Sequence, residues 1–341
     1  MRAMMQPLSW IIVLILLAAY ETDKVSALTG QKIIIDTDAG VDDAFAIAIL
    51  LTAEAYNEVE ILAITTVSGN TGVQNASLNV LKVLDTAGRL DIPVYQGAEN
   101  ALEINPPYDF YFGYDGFGDF EYPNAPNASF ILPIHGVVAL LQYVNAYPDE
   151  IVLLCLGPLT NYALATRLDP TFPSKVKQVI NLGGSAEGTG NVKPNVEFNY
   201  YFDPLAAFIF HNTTKNAPVM LVTWESIAVY AILTLDWRVN VLGRVPGPMM
   251  ELLNKAEYSS LNKGDDKWVS GDALAAAVFI NPALILSANL QPVSVEVHST
   301  KLAGSCMVDY FKVLGAAPNS VIIKNIDIPA YQAMLIEYLS S

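Results

Sequence analysis

Four carboxylates crowd into eight residues at Asp36-Thr37-Asp38-Ala39-Gly40-Val41-Asp42-Asp43, directly after the apolar run Ile33-Ile34-Ile35. The run before them reads as a buried strand, and Asp42–Ala55 after them carries helical periodicity. Two ionised carboxylates about 5 Å apart repel by roughly 3 kcal/mol at an effective dielectric near 20. Four are tolerable only if some are protonated or a cation sits among them. A helix N-terminus relieves part of the load at Asp42 and Asp43, and Gly40 is expected to supply the unusual backbone angles of a turn that lets Asp38 and Asp43 face one point. Oxygen-only donors select a hard cation such as Ca²⁺ or Mg²⁺ over zinc. The spacing is not that of an EF-hand: counted from Asp36, the position needing Gly holds Val41 and the twelfth holds Ile47. No Gly-x-Gly-x-x-Gly follows this strand, and no phosphate-binding Gly-x-x-x-x-Gly-Lys-Ser/Thr occurs in the chain.

The pattern beyond the cluster fixes a fold class. Short, nearly continuous apolar runs at 32–36, 60–67, 150–156, 178–182 and 217–222 suit strands buried on both faces of a parallel sheet. Helix-period segments at 42–55, 73–87, 134–147, 159–168 and 204–211 lie between them. This predicts an α/β chain with one mostly parallel central sheet and helices on both faces, in a single domain. Gly or polar residues follow several runs, at Asp36–Gly40, Thr65–Asn70, Leu156–Thr160 and Leu182–Ser185. At the carboxyl edge of a parallel sheet these loops converge. Residues 99–130, rich in Gly, Pro and aromatic rings, read as one long functional loop.

Composition excludes other classes. Among 341 residues, 34 Asp and Glu face 18 Lys and Arg, a net charge of −16 with no basic cluster, which argues against nucleic acid or an anionic membrane as partner. A charged fraction of 15% excludes a disordered chain. Two cysteines, Cys155 and Cys306, form neither a disulfide framework nor a thiolate cage, and Cys155 is expected as a buried thiol. Arg2 followed by the apolar Leu8–Ala19 reads as a signal peptide over residues 1–27, with Val25-Ser26-Ala27 as cleavage site, leaving a domain at 28–341. The expectation is a secreted protein with no membrane association after signal removal, and the sequons at Asn75, Asn127 and Asn212 suit a glycoprotein.

The run Asp36–Asp43 resembles the Asp-x-Asp-x-Gly-x-Asp-Asp signature of the inosine-uridine preferring nucleoside hydrolases, with Ala39 where Pro is commoner. The likeness continues in order through Thr65-Thr-Val-Ser-Gly-Asn70, Leu156-Gly-Pro-Leu-Thr-Asn161 and Gly190-Asn191 to Val196-Glu197-Phe198-Asn199 and Asp203-Pro204. It covers roughly residues 33–340 and implies calcium-dependent hydrolysis of the N-glycosidic bond of ribonucleosides to ribose and free base.

By that resemblance Asp38, Asp43, Asp272 and the main-chain carbonyl of Leu156 would hold Ca²⁺, with Asp38 also the general base toward the attacking water. Asp36 would brace the loop from behind. Asp42 and Asn70 would take the 2′ and 3′ hydroxyls of ribose, and Asn191, Glu197 and Asn199 its 5′ and 3′ side. One departure stands out: Gly271 precedes Asp272 where a leaving-group histidine is found in the pyrimidine-tolerant branch, and Phe112 stands where a second is often found. His135, His211 and His298 lie outside the motifs and are expected to be structural or at the surface. The purine-specific branch also lacks a histidine acid and stacks its base on aromatic rings, for which Phe112, Tyr114, Phe117 and Trp268 are the candidates here. Purines stack better and withdraw electrons more readily than uracil, which points to inosine or guanosine. The resemblance also implies a homodimer or homotetramer. Two other readings stand beside it. An aspartyl-phosphate phosphatase also opens with strand-Asp-x-Asp but does not need the Asp42-Asp43 pair. A secreted nucleoside-binding protein could have kept these residues without turnover.

Overall fold

The computed structural model describes residues 30–214, 217–264 and 266–340. The expected signal peptide lies outside the described residues. In chain order the strands are β1 (Gln31–Thr37), β2 (Val59–Thr66), β3 (Val94–Gln96), β4 (Ile131–Leu132), β5 (Val152–Cys155), β6 (Gln178–Leu182), β7 (Val219–Val222), β8 (Leu233–Thr234), β9 (Lys267–Trp268), β10 (Ala288–Gln291), β11 (Val293–Val295), β12 (Cys306–Val308) and β13 (Ser320–Ile323). Nine of them form one sheet in the order β10-β13-β7-β6-β5-β1-β2-β3-β4. Every pairing in it is parallel except β10 against β13 at one edge. The pairs β8–β9 and β11–β12 are separate antiparallel ribbons.

β1 shows why these runs are apolar throughout. Ile33 and Ile35 enter one hydrophobic cluster and Ile34 enters the other, so successive side chains are buried on opposite faces. Helices α1 (Val41–Ala55), α2 (Val73–Thr86), α8 (Pro248–Leu261), α9 (Gly271–Ile280) and α10 (Ile328–Leu339) cover the first face. Helices α3 (Gly136–Ala146), α4 (Thr160–Leu168), α5 (Phe198–Phe202) and α6 (Pro204–Thr213) cover the second, and the short α7 (Leu235–Asn240) lies beside β8. Residues 97–127 between β3 and a short turn at Ala128–Phe130 carry no helix or strand, in keeping with their Gly- and Pro-rich composition. Cys155 and Cys306 are both buried free thiols.

From β1 the chain turns to β2 on one side, and β5 pairs on the other. The loops after β1 and β5 therefore part around a crevice at the point where strand order reverses, the place where open α/β sheets bind ligands.

One charge is buried deep in the first face. Arg238, fully buried, donates from Nε to Glu257 at 2.7 Å and from Nη1 to Asn254 at 2.8 Å. Its guanidinium lies 5.2 Å from the Phe45 ring centre and 5.7 Å from that of Trp268. Trp268 Nε1 donates to the other Glu257 oxygen. Replacing Arg238 with Ala leaves that carboxylate dry and uncompensated, at about 3–5 kcal/mol. Thermal denaturation of Arg238→Ala is expected to show a fall in Tm on the order of 10 °C; a fall of only a degree or two means that the pair does not brace this face.

Candidate functional site

The turn between β1 and α1 is closed on Asp43. Gly40 N donates to Asp43 Oδ2 at 2.9 Å, Thr37 Oγ1 donates to Asp43 Oδ1, and Ala39 N donates back to Thr37 Oγ1 at 3.0 Å. An acid at the third helical position thus satisfies the first orphan amide of α1. The left-handed residue of this turn is Ala39, at φ 44°, not Gly40, whose φ is −70°. Gly40 is required for space: a Cβ there would lie 2.6 Å from Asn70 Nδ2 and 3.0 Å from the Phe112 ring. Gly69 is similarly constrained, because a Cβ would fall 2.0 Å from Asp38 Oδ2.

Asp38 is buried and accepts from Asn70 N at 2.6 Å. Asp272 arrives from the first turn of α9, whose Ala-rich sequence lets it pack along α1. Single oxygens of Asp42, Asp43 and Asp272 come within 4.8 Å of one another, and Asp43 is also within hydrogen-bond reach of Asp38. Burial, then Asp43's charge, pushes Asp42 up to about 8. Burial first and neighbouring carboxylates second hold Asp38 and Asp272 well above the usual carboxylate range, and burial raises Asp43. No Lys or Arg figures among the leading influences on any of the four. Asp42 Oδ1 and Asp272 Oδ1 are buried without a hydrogen-bond partner. Oxygen donors with unspent lone pairs and no counter-charge fit a hard divalent cation.

Asp36 stands behind the cluster. It accepts from Thr65 Oγ1 at 2.6 Å and Asn161 Nδ2 at 2.7 Å, joining β1, β2 and α4, and burial raises it to about 6. The Leu156 carbonyl accepts from Asn199 Nδ2 at 2.7 Å. Glu197 caps α5: its oxygens accept from Asn199 N at 2.8 Å, Gly184 N at 2.7 Å and Tyr200 N at 3.2 Å, while burial raises it to about 7. Asn70 lies partly buried over Gly40, and Asn191 is exposed on the loop before α5.

The aromatic candidates separate. Phe117 is fully buried, packed against Phe120 and beneath the Lys82 ammonium, so it is a core residue and offers no stacking face. Tyr114 is exposed and rests on Phe110 at 4.6 Å. Phe112 and Trp268 line one recess together with Glu257. None of the three histidines joins the carboxylates: His135 caps α3, His211 is buried between Tyr200 and Ser320 with its pKa lowered to about 3 by burial, and His298 is exposed. A Cβ on Gly271 would meet the side-chain ends of Leu182 at 2.8 Å and Ile227 at 2.9 Å, which would have to shift to admit it.

Sequence reasoning named Asp203 only within the family likeness, without its role, and missed Glu225; both hold loops. Asp203 bonds Thr160 Oγ1 and the amides of Leu102 and Ala206. Glu225 collects Ser185 Oγ and the amides of Ala186, Glu187 and Thr189. Pro204 directly after Asp203 is a readable helix-start signal; Glu225 carries none, because its donors are all distant in sequence.

Comparison with known proteins gives a consistent result. The family model described as inosine-uridine preferring nucleoside hydrolase matches residues 33–333. Uridine nucleosidase 1 of Arabidopsis thaliana is 43% identical over 192 residues, 56% of this chain and 56% of its own length. The chain spans a little over half the length of the plant relatives it matches. The inosine-uridine preferring nucleoside hydrolase of Leishmania major is 32% identical over 293 residues, covering 82% of this chain and 88% of that protein. Among solved structures, an inosine-guanosine nucleoside hydrolase superposes with a TM-score of 0.83 at 32% identity, covering 90% of this chain and 98% of that one.

The raised carboxylates set a pH dependence. Folded values of about 6 for Asp36 and about 8 for Asp42 exceed the ordinary 3.8, so the folded state binds more protons than the unfolded one in between. Stability of metal-free protein is therefore expected to fall as pH rises from about 4 through about 8. A divalent cation, which competes with those protons, is expected to raise Tm more at pH 8 than at pH 5. Scanning calorimetry of chelated and metal-supplemented protein checks this, and a metal-free Tm that climbs over the window contradicts it.

Proposed function

The chain belongs to the inosine-uridine preferring nucleoside hydrolase family, and from that premise we propose that it hydrolyses the N-glycosidic bond of ribonucleosides, favouring purines such as inosine and guanosine, with Ca²⁺ as its resident cation. The observation that supports this best is the convergence of Asp42, Asp43 and Asp272, with Asp38 close enough to feel their charge, and two buried oxygens lacking any partner. Asp38, Asp43, Asp272 and the Leu156 carbonyl would hold the cation, with the partnerless Oδ1 of Asp272 among the oxygens open to it. When bound, Ca²⁺ supplies positive charge that acidifies and orients the attacking water.

The residues do the rest. Asp38 accepts the proton of the water that attacks C1′, and its Oδ2 is aimed by the Asn70 amide. Asp42 keeps its unpartnered Oδ1 for a ribose hydroxyl, and Asn70 sits beside it over Gly40. Asn191, Glu197 and Asn199 border the other end of the sugar. Glu197 already accepts three amides, so it chiefly fixes the loop that presents Asn199. Asp36 braces the turn. Phe112 and the exposed Tyr114 are the rings left for the base, since Trp268 is buried against Phe45, Trp237 and the Arg238 guanidinium. A phosphatase would need Asp36 as nucleophile, yet it is buried and spent on Thr65 and Asn161. We further propose a secreted glycoprotein that works as a homodimer or homotetramer; of its sequons, Asn127 and Asn212 are exposed.

A reducing-sugar assay over a nucleoside panel is the direct test. Ribose release from inosine and guanosine is expected, lost with chelator and restored by Ca²⁺. Asp38→Asn should lower kcat on the order of 10²–10⁴-fold. Nucleoside binding without ribose release would instead mark a binding protein, and full turnover in Asp38→Asn would remove the base from its assigned role.

A further inference from the structure

A line of polar side chains crosses the second hydrophobic face of the sheet, and the reaction proposed above gives it no part. Asn181 of β6, Tyr200 of α5, His211 of α6 and Ser320 of β13 are all buried. Tyr200 belongs to the same apolar cluster as Cys155, Val179, Phe210 and Leu221. Polar groups are costly in such a layer, and apolar partners of the same shape hold two elements together about as well. Stability alone therefore does not account for the line, and its near end reaches the site.

Its protons have fixed places. Asn181 Nδ2 donates to the carbonyls of Cys155 at 3.1 Å and Leu182 at 3.0 Å, and its Oδ1 accepts from Tyr200 Oη at 2.8 Å. The phenol has then given its only proton, so His211 Nε2, 2.8 Å away, donates to it. Burial lowers His211 to about 3, which keeps the ring neutral, with Nδ1 bare toward Ser320 Oγ at 3.2 Å. Gly183 and Gly184 lie flat on the Tyr200 ring, and a Cβ on either would strike it. At the site end, the Cys155–Leu156 peptide is held on both sides: Asn181 takes its carbonyl, and its N–H donates to Asp36 O at 2.8 Å. The next carbonyl, that of Leu156, accepts from Asn199, the neighbour of Tyr200 in α5. Gly157 follows so close to the acidic turn that a Cβ would fall 2.9 Å from Asp38 N.

We propose that Tyr200, acting through Asn181, is a positioning residue for the cation site, holding the Cys155–Leu156 peptide so that the Leu156 carbonyl is preset for a divalent ion. The inference rests on the nucleoside hydrolase reading, in which that carbonyl is a ligand. A main-chain ligand has no rotamer of its own, so the peptides around it decide where its lone pairs lie. Asp36 and Asn181 pin the peptide before it, and Asn199 limits rotation after it. Without the Tyr200 hydroxyl, Asn181 Oδ1 is buried with no donor, and its amide is free to turn away from Cys155. His211 stands differently: it steadies the phenol from the far side, and in its absence Tyr200 still donates to Asn181.

The test is calorimetric titration of the chelated full chain with Ca²⁺, beside thermal denaturation of the same metal-free samples. Tyr200→Phe, which keeps the ring, is expected to weaken Ca²⁺ binding on the order of tenfold or more. The Ca²⁺ concentration giving half-maximal inosine hydrolysis should rise by the same factor. His211→Leu loses a ring from the core and is expected to lower Tm at least as far, yet to bind Ca²⁺ as the unsubstituted chain does. Affinity thus follows the hydrogen bond to Asn181 and not stability. If Tyr200→Phe fails to fold, Asn181→Thr, too short to reach both carbonyls, carries the same expectation. Unchanged Ca²⁺ affinity in the folded variant, or affinity that falls in step with Tm in His211→Leu as well, overturns the proposal and leaves the hydrolase reading standing. If the unsubstituted chain binds no Ca²⁺, the cation reading fails and takes this inference with it.

Discussion

Holding Asp38, Asp42, Asp43 and Asp272 close together in a largely buried crevice is unfavourable without a cation, and the surrounding structure is organised to bear it. Burial and mutual repulsion both push these groups toward protonation, and no Lys or Arg is among the leading influences on them. What relief exists is made of fixed dipoles: Thr37 and the Gly40 amide on Asp43, the Asn70 amide on Asp38, and the start of α1 beneath both. Two oxygens are left over. A site preorganised in this way stores in the metal-free fold the free energy that binding a cation releases.

The parallel sheet explains why the acids can meet at all. β1 delivers Asp36 and Asp38 at its carboxyl end, β2 and β5 flank it, and α9 lies along α1 so that its first turn faces the same crevice. Glycines at 40, 69 and 157 allow the backbones to close in, since a Cβ at any of them would strike Asn70 or Asp38. The close approach of α9 follows from Ala273, Ala275, Ala276 and Ala277, whose small side chains leave the two helix backbones near each other. Asp272 is thus placed by packing over more than two hundred residues of separation.

Much of this is legible in the residues themselves. The runs at Ile33–Ile35 and 178–182 are long and apolar enough to announce buried parallel strands, and β6 occupies 178–182. Strands β3, β4 and β13 leave no such mark, since two to four residues carry no usable period and only the neighbouring strand defines them. At the site, the acidic run is visible because its members are contiguous. Gly40 misleads because a glycine in a turn suggests unusual dihedral angles, whereas here Ala39 takes the positive φ and Gly40 is small for Asn70 and Phe112. Phe117 misleads for a related reason: an aromatic ring in a Gly-rich loop has no sequence mark that separates a base platform from a plug in the core. Glu225 and Glu257 act through distant partners and leave no local trace.

The glycine at position 271 connects the chemistry to the packing. Leu182 and Ile227 close over it, so a histidine could enter only if both moved. General acid assistance to a departing base is worth roughly 10²–10⁴-fold, or about 3–5 kcal/mol. A chain that forgoes it at this position must, in the proposed reaction, lower the same barrier by other interactions that strengthen as the C1′–N bond breaks. In that step negative charge accumulates on the departing base, so interactions that meet that charge act on the transition state more than on the ground state.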